Sequence, residues 1–110
     1  MPLETLENAL SLFGTLLETG HFYEAHEALE PLWFPRRFEL SAEVLLLKGF
    51  INAAVSFELY KRNRPLRSNQ VWGTYQKYAL QLLHVSPLHR PFYERANQLI
   101  LKIRSRYDHF

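Results

Sequence analysis

Apolar residues recur at helical spacing along almost the whole chain, and this periodicity constrains the fold more than any other feature. In the first segment they stand three or four residues apart, at Leu3, Leu6, Leu10, Phe13 and Leu17. Such spacing places them on one face of a helix. Nowhere do β-branched residues alternate with polar ones, as a half-buried strand requires. The sequence therefore predicts an all-α fold.

Proline, glycine and the apolar stripes divide the chain into five predicted helices, or four with one of them bent. The first is predicted over about residues 3–19, with Pro2 in a first-turn position and Gly20 as the C-terminal cap. The others are predicted over residues 21–33, 38–60 and 66–84, and from Pro91 until the helix frays through residues 104–106. Because the connections are short, sequence neighbours are expected to pack mostly antiparallel in a compact bundle.

Two residues are expected to shape individual helices. Pro31 lacks the N–H group that would bond back to Glu27, so the second helix is expected to kink or end there, and residues 35–37 are predicted to form a loop. Gly49 lies inside the apolar central helix, where a glycine costs about 1 kcal/mol relative to alanine. This cost predicts that another helix or a bulky side chain comes close to Gly49.

The composition limits the classes of protein to which the chain can belong. Its 110 residues are enough for one domain, residues 1–110, with a core of its own. The absence of cysteine excludes a disulfide framework and cysteine-ligated metal sites. The acidic first residues are unlike a signal or transit peptide, and no apolar run approaches the ~18 residues of a membrane span. We therefore expect a cytoplasmic protein that does not enter a membrane.

Residues 22–33 combine ionisable groups with the apolar stripe and form the main candidate site. His26 and Glu30 are four residues apart, so they share a helix face and can touch. Glu27 lies on the adjoining edge, and Trp33 completes the face one turn further on. These four residues are the candidates for a small pocket or a polar core.

The central helix carries polar residues at matching spacing, Lys48 and Asn52. Buried polar groups are costly unless they are paired, so the two polar faces are expected to meet. The preferred ion pair joins Glu27 or Glu30 to Lys48, and Asn52 is expected to bond to His26 or to a carboxylate. A buried network of this kind predicts that Glu30→Gln lowers stability by about a few kcal/mol.

Residues 23–33 carry a resemblance to a known family. They fit closely the motif Phe/Tyr-x-Ala-His-Glu-x-Leu-Glu-x-x-Trp of the bacterial and archaeal domain-of-unknown-function family 309, and residues 48–56 look like a second block of that family. The resemblance covers about residues 13–80, although Lys48 and Asn52 stand where glutamines are usual. It implies a small all-helical fold and no established activity.

Enzyme hypotheses use the same motif and the end of the chain. A metal-assisted or acid–base hydrolase or nuclease that uses His26 and Glu30 is the alternative function. No metal or cofactor is expected, because the sequence supplies no obvious third ligand and Lys48 would keep a neighbouring carboxylate charged. Four residues separate Arg104 from His109, and an arginine and a histidine have this spacing in some all-helical RNases.

Binding hypotheses use the surface. Four cations within residues 61–67 predict a site for an anion or an acidic partner, with Arg62, Arg64 and Arg67 as candidates and residues 36–37 nearby. A formal net charge of +2 and the absence of a groove-reading helix argue against sequence-specific nucleic-acid binding. Aromatic residues make up 15% of the chain, enough to leave some for a homodimer or another protein partner. The predicted function is a small protein-interaction or regulatory module without a cofactor, whose motif forms a structural polar core.

Overall fold

In the computed structural model, which describes residues 2–107, the chain folds into five α-helices joined by short connections. They are α1 (Leu3–Glu18), α2 (Phe22–Trp33), α3 (Ala42–Lys61), α4 (Pro65–Ala79) and α5 (Arg90–Ser105). Short 3₁₀ helices cover Phe34–Arg36 and Leu80–His84. Residues 2–107 contain no strand, which confirms the predicted all-α class. No helix in this range is long and apolar enough to cross a bilayer.

The central helix is α3, which has buried residues on almost all of its sides. It packs mainly against α4 and α2, and α1 completes the bundle by packing against α2 and α5. Near its C-terminal end, Phe57 contacts Phe22 and Trp72, with ring centroids 5.5 and 5.8 Å apart. Because Phe22 begins α2, and Ser68 near the start of α4 donates to the carbonyl of Ser56 near the end of α3 at 2.6 Å, both helices run antiparallel to α3.

Left-handed residues end two of the helices. Gly20 has a φ of +79°, its N–H bonds to the carbonyl of Leu17, and the N–H of His21 bonds to that of Leu16. This pattern is a Schellman cap, so the predicted role of Gly20 is confirmed. Asn63 ends α3 in the same way with a φ of 63°.

The predicted close approach at Gly49 is confirmed. A Cβ atom at this position would lie 2.9 Å from the Cβ of Tyr78 and 3.6 Å from the carbonyl oxygen of Tyr75. Both residues belong to α4, so the missing side chain lets α4 lie directly against α3.

The predicted start of α3 at Phe38 is wrong by four residues. Ser41 is the N-cap, and its hydroxyl accepts a hydrogen bond of 3.3 Å from the N–H of Val44. A cap of this kind satisfies one of the free N–H groups of the first turn, so the helix begins after Ser41. Phe38 and Leu40 consequently lie outside α3, and each is 85% exposed.

The second helix ends at Trp33, as its predicted range has it. Of the two effects expected at Pro31, a kink or an end, the helix does not end there, because the N–H of Phe34 bonds to the carbonyl of Glu30. Two further boundaries differ from the predictions. A loop was predicted at residues 35–37, but the first two of these residues belong to the 3₁₀ helix Phe34–Arg36. The helix predicted over residues 66–84 is α-helical only as far as Ala79 and then tightens into a 3₁₀ helix.

Candidate functional site

The His26–Glu30 pair predicted from the spacing is formed. Nε2 of His26 lies 2.8 Å from Oε1 of Glu30, and Nδ1 of His26 donates to the carbonyl of Tyr23 at 2.5 Å. Both ring nitrogens of His26 therefore face oxygen atoms of its own helix. The side chain of His26 is 16% exposed and that of Glu30 is 47% exposed, so the pair lies on the surface flank of α2.

The predicted network between α2 and α3 is wrong. Among residues 2–107, Lys48 forms no ion pair with Glu27 or Glu30, and its Nζ lies 5.1 Å from the centre of the Tyr78 ring. The amide of Asn52 donates to the carbonyl of Lys48 in its own helix at 2.8 Å, and not to the α2 residues. The close packing of α4 at Gly49 supplies the aromatic ring on which the ammonium of Lys48 rests.

Glu27 and Trp33 also lie apart from a common polar core. Glu27 is exposed to solvent. Trp33 is half-buried, with its ring 6.3 Å from that of Phe34, and its indole nitrogen is buried without an acceptor among the described residues. The motif therefore places one ion pair at the surface and one indole against the core, without joining them.

The metal hypothesis has two adjacent donors in His26 and Glu30. Within residues 2–107 no three histidine or carboxylate side chains converge as a metal site requires. The RNase-like spacing involves His109, which lies outside the described residues. Arg104 of that pair donates to the side-chain carbonyl of Asn69 at 2.9 Å and lies 4.8 Å from the ring centre of Trp72.

A cluster that sequence reasoning missed joins the starts of α3 and α5. Tyr93 is fully buried, and its hydroxyl donates to Oε1 of Glu43 at 2.8 Å. Nδ1 of His89 approaches the same oxygen at 2.8 Å, away from the direction of a hydrogen bond. Burial, reinforced by the Glu43 carboxylate, raises the pKa of the Tyr93 phenol. The carboxylate therefore ties α5 to α3, which otherwise touch little.

No local pattern could have predicted this cluster. Glu43 is separated from His89 and Tyr93 by 46 and 50 residues, so their meeting depends on how α5 crosses the bundle. The predicted boundaries give no signal either, because Glu43 lies inside the predicted third helix and His89 before the predicted last one.

Six exposed large apolar residues lie on the two segments that border the start of α3. The first segment connects α2 to α3, and the second follows α4 and leads to α5, whose start contacts Glu43. We call this surface the apolar end; it consists of Phe34, Phe38, Leu40, Leu80, Leu83 and Leu88, which are 54–85% exposed. They are six of the ten exposed large apolar residues among those described, so this end differs from the remainder of the surface.

The candidates for anion binding lie at the opposite end of α3. Arg62, Arg64 and Arg67 surround the turn from α3 to α4 and are all exposed. Arg62 pairs with Glu58 at 2.7 Å, whereas Arg64 has no ion-pair partner within residues 2–107. The prediction that residues 36–37 lie nearby is wrong, because the twenty residues of α3 separate the two groups by about 30 Å.

Comparison with known proteins gives one match. The family model described as domain of unknown function (DUF309) matches residues 10–68, which is more than half of the chain and includes both motif blocks. Neither a curated protein nor a solved structure matches.

Proposed function

Because the chain belongs to the DUF309 family, whose description assigns no activity, we propose a function from its own surface: a small interaction module that pairs with a second copy through the apolar end. The observation that carries this proposal is the concentration of exposed apolar side chains on the segments around the start of α3.

The amount of exposed apolar surface suits a protein interface. The exposed fractions of the six side chains add up to about four fully exposed residues. At roughly 150 Å² per large side chain, this corresponds to about 600 Å². The largest apolar patch on a typical monomer is about 300–600 Å², and one side of a standard interface buries about 800 Å². The apolar end is therefore large enough to form the centre of an interface.

The charges at the apolar end favour a second copy as the occupant. The guanidinium of Arg37 lies 3.7 Å from the ring centre of Phe34 and 4.5 Å from that of Phe38, and Arg36 pairs with Glu39 at 2.9 Å. This end therefore presents cations, a carboxylate and aromatic faces together. In a two-fold interface each copy offers both arginines and aromatic rings to the other, so the one net positive charge of each segment, two arginines against one carboxylate, faces aromatic rings.

The motif has a structural role in this proposal. The His26–Glu30 pair and the bond to the Tyr23 carbonyl join residues over two successive turns of α2. Such a pair stabilises α2 locally, and α2 leads directly into the segment that carries Phe34 and Phe38.

The test is the mass of the protein in solution. We expect sedimentation experiments between about 1 and 100 µM to show a species of twice the 13.1 kDa chain, with a concentration-dependent equilibrium. Phe38→Glu places a charge in the interface and is expected to give a monomer. Leu66→Glu is the matched control, because Leu66 is 81% exposed but lies at the start of α4, at the other end of α3.

Both variants change side chains that are almost fully exposed, so both are expected to fold, and circular dichroism checks this. A wild-type protein that stays monomeric at the highest concentration would refute the proposal. Equal effects of Phe38→Glu and Leu66→Glu would also refute it, because the apolar end would then have no special role.

A further inference from the structure

The end of α3 opposite the apolar end gathers cations from two distant parts of the sequence. Arg104, in the last turn of α5, donates to Asn69 in α4 and so fixes the C-terminal end of α5 beside the turn from α3 to α4. We call the resulting surface the cationic corner; it consists of Lys61, Arg62, Arg64, Arg67, Arg104 and Arg106. The carboxylates near it in the described chain are Glu18 and Glu58.

The charge of the chain is divided more unevenly than its net value indicates. Residues 1–35 contain six glutamates and no lysine or arginine. The remaining residues therefore hold all thirteen cations against five carboxylates, an excess of eight positive charges. A charge distribution of this kind favours binding of a polyanion to the surface formed by residues after 35, to which the six cations of the cationic corner belong.

Aromatic rings lie beside these cations. Tyr60 and Tyr107 have ring centroids 4.6 Å apart and line an open concavity of about 580 Å³, together with Thr19, Lys61 and Arg106. Aromatic faces next to a positively charged groove are the combination with which proteins bind single strands, because every base can stack and every phosphate can pair. The concavity lies between helix ends, and no helix among the described residues protrudes from it that could enter the groove of a duplex.

We propose that the cationic corner binds single-stranded nucleic acid of no fixed sequence. Phosphates lie against the lysine and arginine side chains, and a base lies against the ring pair of Tyr60 and Tyr107. This surface is separated from the apolar end by the length of α3, so the inference does not depend on the proposed dimer. An acidic protein could also use the cations, but the pairing of cations with neighbouring aromatic rings matches the alternating phosphates and bases of a single strand.

Salt dependence tests the contribution of the cations. Six cations less two carboxylates give an excess of about four charges, and each neutralised phosphate of a single strand contributes about −0.7 to the slope of log K against log salt. We expect a slope of about −3 for binding to fluorescein-labelled oligo(dT) and oligo(U) of about 12 nucleotides, measured by fluorescence anisotropy. The double variant Arg64→Gln/Arg67→Gln is expected to flatten the slope by about 1.4.

The matched control is Lys77→Gln/Arg95→Gln, which removes the same charge from exposed positions on α4 and α5 away from the corner. It is expected to leave the slope unchanged. Equal losses in the two double variants would overturn the proposal, because net charge alone would then explain binding. Failure of wild-type protein to bind either oligonucleotide at low salt would also overturn it.

Substitution of the ring pair separates stacking from simple ion exchange. Tyr107→Leu is expected to weaken oligonucleotide binding about tenfold with an unchanged salt slope, and Tyr107→Phe is expected to retain binding. If Tyr107→Leu does not fold, Tyr60→Leu provides the same test. Heparin or polyglutamate that competes as strongly as the oligonucleotide would overturn the proposal, and so would tighter binding of a duplex of the same length.

Discussion

Gly49→Ala is expected to destabilise the protein, although alanine is the better helix former. The added Cβ would lie 2.9 Å from the Cβ of Tyr78, closer than real Cβ contacts come. The clashing atom is attached directly to the backbone of α4, so it cannot move aside by a change of rotamer. Either α4 moves away from α3 over their large shared surface, or the overlap remains.

The magnitude follows from two opposing effects. Alanine in place of glycine favours a helix interior by about 1 kcal/mol. Overpacking a filled core costs about 1–3 kcal/mol. Because the contact involves a Cβ atom, we take the upper part of this range, which leaves a net loss of about 1–2 kcal/mol. For a domain of this size the loss corresponds to a fall in Tm of about 4–16 °C.

Gly73→Ala is the matched control, because Gly73 lies within α4 and a Cβ there meets nothing within 4 Å. It gains helix propensity without a clash, so we expect it to stabilise the protein by about 0.5–1 kcal/mol. Urea denaturation followed by circular dichroism measures both free energies of unfolding. A Gly49→Ala protein as stable as wild type would refute the close-packing argument, whatever the control shows.

Two further predictions concern ionisable groups. Glu30→Gln is expected to lower the free energy of unfolding by less than about 1 kcal/mol, because the carboxylate paired with His26 is 47% exposed; a loss of several kcal/mol in urea denaturation would contradict this. At alkaline pH, burial raises the pKa of Tyr75 to about 12 and raises those of Tyr93 and Tyr107, whereas unfolded phenols ionise near ~10. The unfolded state therefore releases these protons first, so stability is retained below pH ~10 and falls as the pH rises towards 12. Ultraviolet titration of the phenolates with a parallel Tm series measures this, and ionisation of every tyrosine near pH 10 in a folded protein would contradict it.

The helices and one of their contacts could be predicted from local pattern. The spacing of the apolar residues predicts which segments are helical. The cost of a glycine inside a helix predicts the close approach at Gly49, and the ease with which glycine adopts a positive φ predicts the left-handed cap at Gly20. Both follow from the chemistry of single residues and their near neighbours. The start of α3 was mispredicted because Phe38 and Leu40 continue the apolar period, whereas the hydroxyl of Ser41 determines where the helix begins.

The side-chain network could not be predicted, because helical spacing gives the face of a residue but not the direction in which that face points. His26 and Glu30 meet because they belong to one helix. Lys48 rests instead over Tyr78, a residue on a helix that the predicted network did not include. The Glu43, His89 and Tyr93 cluster was missed for the same reason, since its members meet only when the whole bundle is assembled.

The two proposed surfaces fit together because α3 separates them. A two-fold pair joined through the apolar end would hold its two cationic corners outward, each about 30 Å from the interface along α3. When a long strand is bound at one corner, its binding to the second corner of the pair becomes intramolecular. The strand then binds more tightly overall, although the individual corners are unchanged. Loss of the pair by Phe38→Glu would then weaken binding of long strands while leaving short ones unaffected. The end of α1 and the start of α2 border the corner, since Glu18 lines the concavity and Lys61 donates to the carbonyl of Gly20, but pairing takes place at the opposite end of α3 and leaves the corners open to the strand.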